Sequence, residues 1–493
     1  MITLTRNQVR RLRAVFRRST LGITHRGIVS ELVLRVEGTQ LRAQHRYVDL
    51  AVEHVEPGNH PPAPAVAIPL DALADFEGAA DTPVTLETKA PDQTVVRWED
   101  HGIPQSREYH LLTPADRLEP MPVLPACWTA NPSELIDALA EAIETSTDDS
   151  TRYALNCVQL QSSRGQVVAT DGRQLLVRTG FTFPWPADLL IKGRPVFACR
   201  TLPRDQPVEV GWTDTHVFFR AGGWTIACVI QRDLRFPAVD RVIPQPAEVT
   251  THLRLDPDDA GFLESALGRL PGAGDINAPV TIEVNGEVAV RATSVEQPNR
   301  VTELVLGRSN YTGSPTCILT NRALVERALR MGFRELGFTS VETPFVCRDA
   351  GRVYAVQPLS GGLPPAADAE VIRIESTAAV AGKSQGPTRT ASPRRTVAVR
   401  ESRNGHEQAL PPIGRPAMAT RAAETIAGPG PEPPGTSLAE LIQEAESLHA
   451  SLADAKSRTA RLIAGLRRQR RQSKLVQETL RSLRALKLQD VVA

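Results

Sequence analysis

Over roughly the first 360 residues, apolar and polar positions switch between two periods, and the order of the switches repeats. A short strand leads into an amphipathic helix; strands with period-two alternation follow, then a second helix, then further strands. The first copy opens at "ITLTRNQVRRLRAVFRR", continues through "SELVLRVEGTQLRAQHRYVDLAVEHV" and reaches its second helix at "PLDALADFEG". The second opens at "CWTANPSELIDALAEAIE" and places its second helix near "GRPVFACRTL". The third runs from "THLRLDPDDAGFLESALGRL" to a helix at "TNRALVERALRMGF" and closes with the strand "RVYAVQPL". The spacing is roughly 120 residues, the period of a repeated domain. One or two helices per copy cannot cover a sheet on both faces. The predicted unit is therefore α+β, an antiparallel sheet with helices on one side, with domains over 1–122, 123–247 and 248–362.

Beyond residue 362 the pattern changes. No aromatic residue follows Tyr354, and 363–436 holds eleven prolines among Gly, Ala, Thr and Arg, the composition of a disordered linker. From Leu441 to Lys487 a strict four-three alternation returns, and ten of its fourteen seam positions are apolar. That predicts a coiled coil over 437–489. Between Lys456 and Lys487 the helix carries eleven Lys and Arg and one Glu, which makes it either a soluble basic surface or a phosphate contact. The net charge of +1 hides this split: residues 1–365 hold 37 Lys and Arg against 43 Asp and Glu, whereas 366–493 hold 20 against 13.

One stretch invites a catalytic reading. In "RYALNCVQLQSSRGQVVATDGRQLLV", residues 152–177, Asp171 sits in an Asp-Gly-Arg sequence. A reactive Asp171 needs a base, a metal or a nucleophile beside it, and no His or second carboxylate lies within the stretch. Strands over Asn156 to Gln161 and Gln166 to Ala169, joined by Ser-Ser-Arg-Gly, make Asp171-Gly172 a second turn.

Three segments resemble one family, the bacterial sliding clamp or beta subunit of DNA polymerase III: "RYALNCVQL...VVATDGRQL" (152–175), "RDLRFPAVDRVIP" (232–244) and "VYAVQPL" (353–359). The resemblance covers about residues 1–362. It implies three similar domains of the DNA-clamp fold and a head-to-tail homodimer ring around duplex DNA. In such a ring helices line the pore, and the clamp confers processivity on DNA polymerase III without bond chemistry. It also implies a cleft between the second and third domains for short peptides of the replicative polymerase, the clamp loader and repair proteins. The matching positions are Leu155, Thr170, Gly172, Arg173, Leu175, Pro237, Arg241, Val242, Ala355, Val356, Pro358 and Leu359. Gln357, Ser360 and the pair Arg173-Gln174 depart from the usual residues, which puts peptide preference in question.

A pore around a duplex needs positive charge toward phosphates without base readout. The first helix supplies Arg6, Arg10, Arg11, Arg13, Arg17 and Arg18. Lys192, Arg194, Arg200 and Arg204 lie around the second helix of domain 2, and Arg322, Arg327 and Arg330 in that of domain 3. The other three helices are acidic, "SELIDALAEAIE" with Glu134, Asp137, Glu141 and Glu144 most of all. This keeps a second reading open, a clamp-fold scaffold that holds partners and oligomerises without encircling DNA. An enzyme is disfavoured, since the sequence has no metal cluster, phosphate loop or nucleophile-base pair. The six cysteines show no Cys-x-x-Cys, and no apolar run reaches the ~20 residues of a membrane span. With charge where a signal peptide is apolar, the expectation is a cytoplasmic protein with no metal, no cofactor and no membrane partner.

Overall fold

The elements follow the repeat. In the computed structural model, residues 1–20, 30–113, 118–147, 153–360 and 370–376 are described; all lie within the unit Met1–Thr396. The coiled coil expected over 437–489 and most of the expected linker lie outside the described residues.

Domain 1 contains β1 (Ile2–Thr5), α1 (Arg6–Ser19), β2 (Glu31–Glu37), β3 (Gln40–Tyr47), β4 (Leu50–Glu56) and β5 (Val66–Pro69). A 3₁₀ turn at Leu70–Ala72 then runs into α2 (Leu73–Phe76), followed by β6 (Pro83–Ala90), β7 (Gln93–Asp100) and β8 (Ile103–His110). Domain 2 repeats the order with β9 (Thr129–Asn131), α3 (Glu134–Thr145), β10 (Cys157–Gln161), β11 (Gln166–Thr170), β12 (Gln174–Thr179) and β13 (Leu189–Lys192). A 3₁₀ turn at Pro195–Ala198 precedes β14 (Val208–Trp212), β15 (His216–Ala221) and β16 (Trp224–Val229). Domain 3 contains β17 (Thr251–Arg254), α4 (Pro257–Leu267), β18 (Pro279–Val284), β19 (Val288–Ser294), β20 (Gln297–Val305), the short β21 (Asn310–Gly313) and β22 (Thr316–Asn321). It finishes with α5 (Arg322–Arg330), β23 (Glu335–Phe338), β24 (Phe345–Asp349) and β25 (Arg352–Val356), and β26 (Glu370–Glu375) follows.

Local chemistry starts each helix where the sequence does. Thr5 caps α1 by accepting from the Gln8 N–H at 3.2 Å while its own N–H donates to Gln8 Oε1 at 2.7 Å, a reciprocal capping box. Val9, Leu12, Val15 and Phe16 then fall on one buried face, each contributing about 1.5–3 kcal/mol of burial. Asp256 and Asn321 cap α4 and α5 more simply, their side chains accepting from the N–H groups of Asp258 and Ala323, with Pro257 at the first position of α4.

Each domain builds two half-sheets, and the half-sheets of neighbouring domains fuse. Strand β4 of domain 1 pairs antiparallel with β16 of domain 2. In the same way β12 of domain 2 pairs with β25 of domain 3. The sheets so formed have the orders β5-β2-β3-β4-β16-β15-β14-β9 and β13-β10-β11-β12-β25-β24-β23-β17-β21. One core spans domains 1 and 2 and a second fills domain 3.

Two expectations are corrected. The helix expected near "GRPVFACRTL" is a single 3₁₀ turn, because Cys199 leaves helical geometry and the carbonyls of Phe197 and Cys199 accept from the Arg204 guanidinium rather than from a further turn. The linker expected from residue 363 contains β26, whose Val371, Ile372 and Ile374 supply the β-forming character.

Candidate peptide cleft and nucleic-acid face

The Asp-Gly-Arg stretch is a turn held by the side chains of Asp171 and Thr170. Asp171 Oδ1 accepts from the N–H groups of Arg173 at 2.7 Å and Gln174 at 2.9 Å, and Oδ2 accepts from Gln174 Nε2 at 2.9 Å. Thr170 Oγ1 donates to the Gln174 carbonyl at 2.7 Å and accepts from the Gly172 N–H at 3.0 Å. Gly172 has φ +86°, where a side chain is strained, and a β-carbon there would lie 4.0 Å from the Leu155 side chain. The carboxylate of Asp171 therefore holds a turn, with three local donors on its two oxygens.

This turn starts β12, and β12 is where domains 2 and 3 join, with Leu175 opposite Ala355 and Gln174 opposite Val356. Alternation sorts the two faces. Leu175 and Ala355 pack with Val168, Val177 and Val346, and the chain leaving domain 2 lays Phe236, Val239, Ile243 and Val249 over them. On that covering segment Pro237 is half-buried, Arg241 is exposed, and Val242 is 48% exposed between the packed Val239 and Ile243. Leu359 is half-buried and tied to domain 3 by its N–H donating to the Leu319 carbonyl at 2.8 Å; Pro358 is buried. Arg173 donates to Asn277 at 3.0 Å and remains exposed at the rim. Val356 differs from the others. It points into the core of domain 3, fully buried, and so is withdrawn from the cleft lining.

The residue that sequence reasoning missed at this junction is Gln174. Its Oε1 accepts from the Tyr354 hydroxyl at 2.6 Å and from Arg327 at 2.9 Å, while its amide nitrogen holds Asp171. Burial raises the Tyr354 pKa well above the ordinary phenol value, so this hydroxyl stays a donor. The available signal was a polar residue at an inward-facing position of an alternating strand.

The arginines divide into committed and available groups. Arg322 is 3% exposed and donates to the carbonyls of Leu267, Leu270, Pro271, Ala278 and Pro279. Arg327, 4% exposed, donates to Gln174 and to the Glu141 carbonyl. Both are withdrawn from the phosphate-facing set, because a buried guanidinium that satisfies protein acceptors cannot also reach DNA. Arg194 clasps Asp49 with two nitrogens, Lys192 lies 3.5 Å from the same carboxylate, and Arg204 is bonded to Asp137. On α1, Arg6 is spent on Asp100 and the carbonyls of Glu77 and Glu99; Arg13 pairs with Glu77 at 2.6 Å and the more exposed Arg11 with Glu56 at 3.2 Å. Arg330 lies exposed, 3.7 Å from Glu144. Arg10, Arg17, Arg18 and Arg200 have no ion-pair partner among the described residues. The first three border a surface depression of about 500 Å³ together with Arg13, Ala14 and Glu77.

The acidity of α3 is largely cancelled by the protein itself. Asp137 meets Arg204, Glu141 meets Arg178 at 2.6 Å, and Glu144 lies near Arg327 and Arg330. Only Glu134 lacks such a partner among the described residues. No group of His, Cys, Asp or Glu among the described residues is arranged to hold a metal ion.

Threefold repetition of two half-sheets fused through antiparallel seams defines the DNA-clamp fold, that of bacterial sliding clamps. The chain is similar to the DNA polymerase III beta chain of Streptococcus pneumoniae, with TM-score 0.61 and 15% identity over 73% of this chain and 100% of that one. It is likewise similar to the sliding clamp of Bacillus subtilis, with TM-score 0.60 and 17% identity over 73% and 99%. A third match, with the same four values, is the sliding clamp of Pseudomonas aeruginosa bound to griselimycin. No protein-family model and no curated protein matches the chain.

Proposed function

We propose that this protein is a sliding clamp: two copies close head to tail around duplex DNA, and the ring tethers a DNA polymerase without bond chemistry of its own. The observation that carries the reading is the repeated seam. The third strand in chain order of the half-sheet that follows the first helix, β4 in domain 1 and β12 in domain 2, pairs with the last strand of the next domain's other half-sheet, β16 and β25. The same rule leaves β20 of domain 3 to pair with β8 of a domain 1, and β8 of the same chain lies in a separate sheet with β7 as its partner among the described residues. A second copy supplies the missing strand. Arg10, Arg17, Arg18 and Arg200 are the cations left to meet phosphates, as a non-specific sliding contact requires. The segment from Phe236 to Val249 already covers Leu175 and Ala355, so half-buried Leu155 with exposed Val242 and Arg241 are the positions left to meet an extended partner peptide with apolar anchors. The basic helix expected over 437–489 adds a second means of pairing protomers or holding DNA.

The test is retention on nicked circular DNA after loading by a clamp loader, followed by cutting the circle. Release on linearisation is the expected outcome. Retention that ignores linearisation favours the scaffold reading, which the commitment of Arg322 and Arg327 to internal bonds also supports.

A further inference from the structure

The edge of β20 that the seam rule assigns to a second copy is not open. Residues Arg300 to Val305 of β20 pair in parallel with Glu370 to Glu375 of β26, so the protein's own continuation lies along it. Both internal seams are antiparallel, and a β8 from another copy pairing as they do needs this same row of backbone groups. The two occupants exclude each other.

β26 is held at discrete points and by little burial. Arg373 bonds Glu287 at 2.7 Å and Glu303 at 3.2 Å, and its guanidinium draws the Glu287 pKa below the usual carboxylate range. At the C-terminal end, Ser376 donates to Asp259 and accepts from the Gly307 N–H at 3.2 Å. Asp259 is 1% exposed and also accepts from the N–H groups of Arg308 and Ser309 and from the Ser309 hydroxyl, so Ser376 completes the shell of a buried carboxylate. Along the strand itself Val371 and Ile374 remain exposed. Such a strand has local specificity and low local stability, the combination needed for displacement.

The opposing edge is formed for pairing. β8 has a partner only in β7 among the described residues, and all but one of its residues are exposed. The two-residue turn His101-Gly102 makes Asp100 and Ile103 a hydrogen-bonded pair. Alternation then turns the N–H groups of Ser106, Glu108 and His110 outward, on the side where Pro104 has none to lose.

We infer that β26 is a built-in competitor for ring closure, covering the β20 edge until it is displaced by β8 of a second copy. This rests on the ring reading above. The experiment is hydrogen exchange of the full chain over a range of protein concentrations, following β8 and β26 amides separately. As β8 becomes protected, β26 should become exposed. Arg373→Glu, which faces Glu287 and Glu303 with a like charge, should shift β8 protection to about tenfold lower concentration; Arg373→Glu with Glu287→Arg should move the midpoint back toward the original, short of it because Glu303 still faces a like charge. Ser376→Ala, acting from the other end, should shift it in the same direction as Arg373→Glu. If β8 is protected at an unchanged or higher concentration in the released variants, or while β26 stays protected, the competition is overturned and the ring reading survives. If β8 is never protected in any variant, both fall.

Discussion

Helices α1 and α5 look alike as sequences, each an apolar stripe studded with arginine, yet their arginines do opposite things. On α1 three of the six are without ion partners, whereas on α5 two of the three are buried. The difference comes from what lies alongside. Beside α5 stands α3 of the neighbouring domain, whose Glu141 carbonyl and Glu144 carboxylate receive Arg327 and Arg330. α1 instead meets the short 3₁₀ turn of domain 2, where Cys199 donates to the Ala14 carbonyl and no acid is supplied to Arg10, Arg17 or Arg18. The number of arginines in a helix thus says little about charge offered to a phosphate. The neighbour across the domain boundary decides it for Arg327 and Arg330, whereas Arg322 is claimed by carbonyls of its own domain.

The largest expected effect tests the committed side of this comparison. Arg322→Ala removes the donor to five carbonyls in the 267–279 loop region and should lower the unfolding free energy by about 3–4 kcal/mol. Urea denaturation measures it. A loss under about 1 kcal/mol would mean that water replaces the guanidinium and that Arg322 is not structural. Gln174→Leu comes next, taking the acceptor from Tyr354 and Arg327 at once, with an expected loss of about 2 kcal/mol. Gln357→Leu is its control. Gln357 makes one exposed bond to the Glu342 carbonyl at 2.8 Å, and its loss should stay within about 0.5 kcal/mol.

What could be read from the sequence was what local interactions determine. The strand and helix periods and the Asp171 turn depend on residues a few positions apart, so the repeat and its hairpins were visible. The roles of Arg322 and Arg327, and of Gln174 toward Tyr354 and Arg327, depend on partners between 43 and 186 residues away, and no periodicity encodes such a meeting. Strand β26 is intermediate. "EVIRIE" has strand character and no Pro or Gly, but the surrounding composition over 363–436 outweighed six residues. The matched cleft positions were legible as a set only through the resemblance. Val356 shows its limit, since strand alternation turns it from its neighbour Ala355 into the core.

The smallest effect on stability belongs to the available side, and there the comparison is most exposed to failure. Replacing Arg10, Arg17 and Arg18 together by Ala removes no ion pair among the described residues, so unfolding should change by no more than about 0.5 kcal/mol per site. DNA association should respond instead. Each neutralised phosphate contributes about 0.9 to the slope of log affinity against log salt, so three lost contacts should flatten the slope by about 2.7. The measurement is DNA binding between low and moderate salt, with Arg322→Lys carried alongside as a variant that keeps charge in a buried position. A flattened slope in the triple variant, with none in Arg322→Lys, keeps the two helices in their separate roles. An unchanged slope in the triple variant would remove α1 from the DNA contact. The basic segment from Lys456 to Lys487 would then be the remaining concentration of positive charge to test by the same titration.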